Sequence, residues 1–273
     1  MQFKFFKAAS CGLMIGFACT SASAGVIFSD GFEQYSTAGF GTAQEGWRIV
    51  NSPIRSGNYA ISDTLQTTAA TKAQPSVNFE VAARHKHKHK HKHKSHKHNG
   101  GTSKHSVGGK GRARSESTLG KKGHLQRGRY YTIHFSNRVA GDTGKGAIVF
   151  QIHKVRGKAD HTGHQPIQLH SRGGHWVVSV HSNSSKGRHF DLGPIDKSRY
   201  TDWTFRVKLS SGKDGDLEVT KNGKHVLSYR GPNDFNGKGD PYVKFGIYRP
   251  KKVYRGSSGK QTVYYDQVQL SSN

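Results

Sequence analysis

From residue 130 onward the chain alternates apolar and polar side chains with a period of two, in runs of strand length. The runs are YYTIHFSNRV (130–139), AIVFQIHKV (147–155), HWVVSVHS (175–182), WTFRVKLS (203–210), LEVTKNGKHVLSYR (217–230), YVKFGIYR (242–249) and QTVYYDQVQLS (261–271). Gly, Asn, Asp and Ser gather between them, as turns require. Asn222-Gly223, inside the fifth run, predicts a hairpin, because both residues tolerate the positive φ angles of a two-residue turn. Helical periodicity is nearly absent. Many short strands at this spacing predict an all-β sandwich of the jelly-roll kind.

Alternation also sorts side chains onto faces. In YVKFGIY, Val243, Phe245 and Ile247 point to one side, and Tyr242, Lys244, Gly246 and Tyr248 to the other. The first set suits a core. The second sets two phenols and an ammonium around a glycine that leaves room above the sheet. In AIVFQIH, Phe150 and Ile152 fall on one face and Val149, Gln151 and His153 on the other. With Phe150 and Ile152 in the core, Gln151, His153, Lys244 and Tyr248 share the open face of one sheet. His134 in YTIHFSNR and His181 in WVVSVHS are further open-face candidates, whereas Trp47, Trp176 and Trp203 fit apolar sides and are expected inside.

Composition changes this picture at three points. The opening MQFKFFKAASCGLMIGFACTSASAG has two lysines, an apolar run and Ala22-Ser23-Ala24, and reads as a signal peptide over residues 1–24. It predicts a secreted or periplasmic protein. The apolar part is too short to span a bilayer and no later run qualifies, so no transmembrane segment is expected. Cys11 and Cys19 both lie in this leader, which leaves the mature chain without disulfide or thiol chemistry. Residues 25–273 have the length of one domain, expected to be monomeric.

The formal net charge is +26, which calls for a polyanionic partner: nucleic acid, anionic lipid or acidic polysaccharide. Export favours the polysaccharide. From Arg84 to Arg129 the chain holds fifteen Lys and Arg against the single acid Glu116, beginning RHKHKHKHKHKSHKHNGG. Alternating His and Lys cannot build a core and repels itself, so a disordered or mobile insertion is expected, at about 84–112. It reads as a solvated insertion, as a tether for an anionic polymer or, least well, as a metal-binding run, since its lysines repel a cation. It would bind nucleic acid without specificity, and no recognition motif accompanies it.

An amide, an imidazole, an ammonium and a phenol above a cleft suit β-elimination in a uronic-acid polymer. That reaction removes the C5 proton α to a carboxylate and expels the 4-linked sugar oxygen. Donors and cations aimed at the carboxylate stabilise the enolate-like transition state, a base takes the proton, and an acid protonates the leaving oxygen. Gln151 and Arg114 suit neutralisation, His153 suits base or neutraliser, and Tyr248 suits acid, base or both. No metal is needed.

RSE (Arg114-Ser115-Glu116), QIH (Gln151-Ile152-His153) and YVKFGIY together resemble the three signature segments of jelly-roll alginate lyases. DWTFRVKLSSGKDGDLEVTKNGKHVLSYRGPNDF, YVKFGIYR and VYYDQVQL are similar to the heparin-lyase-I-like and glucuronan-lyase group, as are FSDGFEQY and VNSPIRSGNYAIS near the start. The resemblance covers most of the mature chain apart from residues near 64–110. It implies a concanavalin-like jelly roll with a concave cleft and an endo-acting lyase. It assigns Tyr248 as the catalytic phenol, places His153 and Gln151 beside the scissile bond, and makes Lys244 a supporting cation. Arg114 matches an arginine of the alginate-lyase motif, although STLGKK follows RSE in place of an apolar residue and a second arginine. Tyr242, Arg249, His134, His181, Asn51, Arg55 and Tyr254 join Arg114 as substrate-contact candidates. Some relatives carry structural calcium; no acidic loop here demands it, and calcium is left open. Alginate, glucuronan and a heparin-like chain all remain as substrates. The alternative is a non-catalytic module that binds an anionic polysaccharide. A glycoside hydrolase needs two carboxylates across the bond, and Asp214, Asp216 and Glu218 cluster instead at a turn.

Overall fold

In the segment Thr201–Lys208, buried and half-buried residues alternate without a break, and Trp203, Phe205 and Val207 are fully enclosed. That is the period-two pattern of WTFRVK turned into a strand with one wet face. The computed structural model describes residues 25–31, 47–67, 113–141, 145–154, 165–183, 187–236, 239–250 and 259–273. The leader and the His/Lys run at 84–112 lie outside the described residues, as does Tyr254.

In chain order the strands are β1 (Gly25–Asp30), β2 (Trp47–Val50), β3 (Ala60–Thr67), β4 (Ala113–Thr118), β5 (Tyr130–Gly141), β6 (Ala147–His153) and β7 (Ile167–Arg172). They continue as β8 (His175–Val180), β9 (Arg188–Pro194), β10 (Thr201–Lys208), β11 (Asp216–Lys221), β12 (Lys224–Arg230), β13 (Tyr242–Arg249) and β14 (Gly259–Ser272). They form two antiparallel sheets. The eight-stranded sheet runs β12-β11-β10-β5-β14-β3-β2, with β1 also on β14; the six-stranded sheet runs β4-β13-β6-β7-β8-β9. This is a jelly-roll sandwich. Among the described residues no helix is long and apolar enough to cross a membrane.

Aromatic side chains lock the two sheets together. Phe135 on β5 packs against Phe150 on β6 and Phe245 on β13, with ring centroids 4.9 and 5.3 Å apart, and Trp176 meets Trp203 edge-on at 5.4 Å. Trp47, also buried, stacks on Tyr265. The β11–β12 hairpin turns through Asn222 and Gly223 with φ of 51° and 75°, the two positive angles the Asn-Gly pair suggested.

Past the expected insertion at 84–112, the basic segment forms regular structure: residues 113–118 pair along β13, and Leu119 and Leu125 enter the core. Pairing and two leucines overcome the local charge. The faces of β6 differ from strict alternation, because Val149 and Phe150 both join the core. Ile148 instead lies opposite Tyr248 and His170, whose face it shares.

Candidate active site

The six-stranded sheet turns one face to the core and presents polar side chains on the other. Its register places Lys244 opposite Gln151, Gln151 opposite Gln168, Gln168 opposite Ser179 and Ser179 opposite His189, a polar row across five strands. Tyr242 is opposite His153 at one end of the face. Towards the other end, Tyr248 lies opposite Arg114 on β4 and Ile148 on β6. Gln151, His153, Lys244, Tyr248, Tyr242 and Arg114 thus share a face contributed by β4, β13 and β6.

Glu116 organises the centre. It pairs with Gly246, which has no side chain, and its carboxylate accepts hydrogen bonds from Lys244 Nζ (3.0 Å) and Gln151 Nε2. The Gln151 carbonyl in turn accepts from Gln168 Nε2 at 3.4 Å. Glu116, Lys244 and Gln151 are nearly enclosed, at 4, 7 and 1 % exposure, so each charge needs the other as partner. Lys244 is therefore committed to Glu116, and the cation beside the Tyr248 phenol is Arg114, its guanidinium 5.5 Å from the ring centroid.

Tyr242 is held between two imidazoles, with centroids 5.5 Å from His124 and 5.0 Å from His153. Burial first, then the Glu116 charge, raises its phenol above the ordinary range. Beyond Gln168, the Ser179 hydroxyl bridges His170 Nε2 (3.0 Å) and His189 Nδ1 (2.7 Å), and His181 sits edge-on to His189. Burial, with His189, His181 and Arg172 adding to it, pushes His170 down to about 3, so that ring is neutral at working pH.

The strand pairing slips at this site. β6 carries one residue more than β7 between Ile148 and Phe150, and β13 carries one more than β6 between Phe245 and Tyr248. Gly246 takes the second slip with φ of 119°, and a Cβ there would lie 2.3 Å from the Ser115 carbonyl oxygen. Gly246→Ala is therefore expected to cost about 2–3 kcal/mol, read from the urea unfolding midpoint.

Beneath the slip sits Asp63 of β3, fully enclosed, whose Oδ2 accepts the Ile247 amide at 2.9 Å. Burial, with a smaller push from Glu116, raises this carboxyl to about 8, against the pull of Ser115 and the Ile247 amide. The folded state holds that proton and the unfolded chain releases it above about 4. This group's contribution to stability is thus full in acid and lost as pH rises towards 8, at up to about 1.4 kcal/mol per pH unit. Urea titrations at pH 5 and pH 8 should show a decline in the wild type that Asp63→Asn flattens.

Other sequence candidates stand elsewhere. His134 lies on β5 in the eight-stranded sheet, its Nδ1 3.2 Å from Thr204 Oγ1, and burial lowers its pKa. Arg55 grips Asp202 through two hydrogen bonds of 3.0 and 2.9 Å on that same sheet, and Asn51 is exposed in the loop before it. Arg249 points between the sheets, donating to Gln261 Oε1 at 2.8 Å. His181 lies just past the end of β8, three strands from β13 in the six-stranded sheet. Sequence reasoning left unassigned Glu116, Gln168, His170, Ser179 and His124. The alternating IQLHSR of β7 carried the signal for two of these, and Glu116 stood out as the lone acid in its segment. Among the described residues no three His, Cys, Asp or Glu side chains gather as metal ligands.

Two packed antiparallel sheets, one presenting a polar face with Tyr, His, Gln and Arg, make this a jelly roll with a candidate site on that face. The chain belongs to the family described as polysaccharide lyase, whose family model matches residues 30–269. No curated protein compared with the chain matches it. Among solved structures, it is similar to an endo-β-1,4-glucuronan lyase from the fungus Trichoderma reesei, with TM-score 0.63 and 14 % identity over 90 % of this chain and 95 % of that one. Alginate lyase A1-II′, a member of polysaccharide lyase family 7, aligns with TM-score 0.51 and 15 % identity over 85 and 86 % of the two chains. The cellulose-induced protein Cip1 shares the fold at TM-score 0.51 and 12 % identity, over 90 and 97 %.

Proposed function

We propose that this protein is an exported, endo-acting lyase that cleaves a uronate-containing polysaccharide by β-elimination on the open face of the six-stranded sheet. The observation that carries the reading is that one sheet face carries an exposed arginine over a phenol, an anchored amide and an imidazole. Arg114 and the second N–H of Gln151 draw charge from the C5 carboxylate, since Glu116 occupies only one of the two amide donors. Tyr248 and His153 share the proton transfers, one removing the C5 proton and one supplying the leaving oxygen. Lys244 acts indirectly, by neutralising Glu116 so that the amide is fixed without leaving an unpaired buried charge.

Glucuronan is the first substrate to test and alginate the second, in view of the two lyases that share this fold. The leader supports export, and the +26 charge supports attraction of any polyuronate to the surface. The mature protein should be incubated with glucuronan, alginate, hyaluronan and heparin, following the ultraviolet absorbance of the new C4–C5 double bond. Rising absorbance with a uronate polymer supports the lyase reading and names the substrate. A flat trace with all four, alongside salt-sensitive binding, turns the reading to a non-catalytic module.

A further inference from the structure

The eight-stranded sheet sends two polar side chains through the core to the back of the active face. Tyr265 of β14 is completely buried, stacked on Trp47, and its hydroxyl accepts the Gly246 amide (3.0 Å) while donating to the Val149 carbonyl. Asp63 of β3 accepts the Ile247 amide. Val149 is the additional residue of β6, and Gly246 and Ile247 span the additional residue of β13. The backbone groups freed by the two slips are therefore satisfied by side chains from the opposite sheet. An enclosed amide left unpaired would cost about as much as a lost hydrogen bond.

We propose that Asp63 and Tyr265 are positioning residues for the lyase: by pinning the slip at Gly246–Ile247 they fix where along the active face the Tyr248 phenol stands. This rests on the reading of Tyr248 as the catalytic phenol. Register decides which neighbours a side chain meets on that face. With Phe245 opposite Phe150, an unslipped β13 would set Tyr248 opposite Ala147 instead of Ile148, one residue further along β6 from Gln151. The two amide acceptors make the slipped register the satisfied one. A buried carboxyl is a costly way to supply an acceptor, as the rise of Asp63 to about 8 records. An aliphatic residue would fill the space at less cost but would leave the Ile247 amide without its acceptor.

The test uses Tyr265→Phe, which keeps the ring and removes the hydroxyl, and Asp63→Leu, which removes the acceptor. Asp63→Asn retains an amide oxygen for Ile247 and serves as the conservative rescue. Val139→Ala, a core truncation on β5, controls for loss of stability alone. The expected result is a 10- to 100-fold fall in kcat with KM within twofold for Tyr265→Phe and Asp63→Leu. Asp63→Asn and Val139→Ala should stay within about threefold of wild type. In parallel, 3-fluorotyrosine placed at position 248 reports the ring's surroundings by fluorine NMR. Its resonance should move or split in Tyr265→Phe and Asp63→Leu, and hold in the other two. The proposal is overturned if either of these first two variants, folded by near-ultraviolet circular dichroism, keeps both kcat and the fluorine resonance of the wild type. Should Asp63→Leu not fold, Tyr265→Phe decides alone. If the wild type cleaves no uronate polymer, the lyase reading has failed, while the fluorine resonance still decides whether the pair holds Tyr248 in place.

Discussion

Tyr248→Phe is expected to lower kcat for elimination by about 10³-fold or more while leaving polymer affinity within about threefold. Positioned general acid–base groups contribute on the order of 10²–10⁴, and a phenol that serves in either proton transfer takes that factor with it. The substitution removes one oxygen and little else. The ring remains half-buried opposite Ile148, and the Arg114 guanidinium keeps its face-on contact, so the surface that meets the polymer is preserved. Tyr242→Phe provides the contrast. That phenol is clamped between His124 and His153, and burial raises its pKa and makes it a poor proton donor, so a fall of less than tenfold is expected. Comparable losses in both variants would show that the two phenols act as one unit. A greater loss in Tyr242→Phe would transfer the chemical role to the tyrosine that touches His153. Steady-state rates by double-bond absorbance, with affinities measured separately on the inactive variant, distinguish these outcomes.

How far the sequence disclosed this site depends on which force set each part of it. β10 and the Asn222-Gly223 hairpin were legible because one wet and one dry face produce alternation, and because positive φ restricts turn residues. Gln151 and Lys244 were assigned to one face, and the register sets them opposite each other. The rest depended on long-range pairing. No local rule tells that β4, embedded in a segment of like charge, will dock along β13, yet this docking brings Glu116 to Lys244 across 128 residues of sequence. Nor does alternation reveal a slip: Val149 was placed with Gln151, and the structure turns it inward. His134 shows the converse error of principle. Its strand has the expected wet face, but that face belongs to the other sheet, and a period of two cannot say which sheet a strand joins.

Breaking the Glu116–Lys244 pair from one side is expected to cost about 3–5 kcal/mol, far more than any surface ion pair in this very basic protein. The two side chains are 3 and 9 % exposed and 3.0 Å apart, so removing either leaves a charge that water reaches poorly. Glu116→Gln takes the carboxylate from the ammonium, and Lys244→Met takes the ammonium from a carboxylate that the Gln151 amide still meets. Replacing both leaves a neutral amide beside Gln151 and a thioether of similar length, and most of the loss should return. A double-mutant cycle by urea unfolding should thus give a coupling of about 2 kcal/mol or more. The coupling should persist in 1 M salt, where exposed pairs are screened over about 3 Å. Single losses below 1 kcal/mol, or a coupling that vanishes in salt, would mean that the pair is hydrated and that Gln151 is not anchored by it. Activity separates anchoring from stability. The double variant regains its fold but not the charged acceptor that orients the Gln151 amide, so its kcat should remain depressed after its unfolding midpoint has recovered.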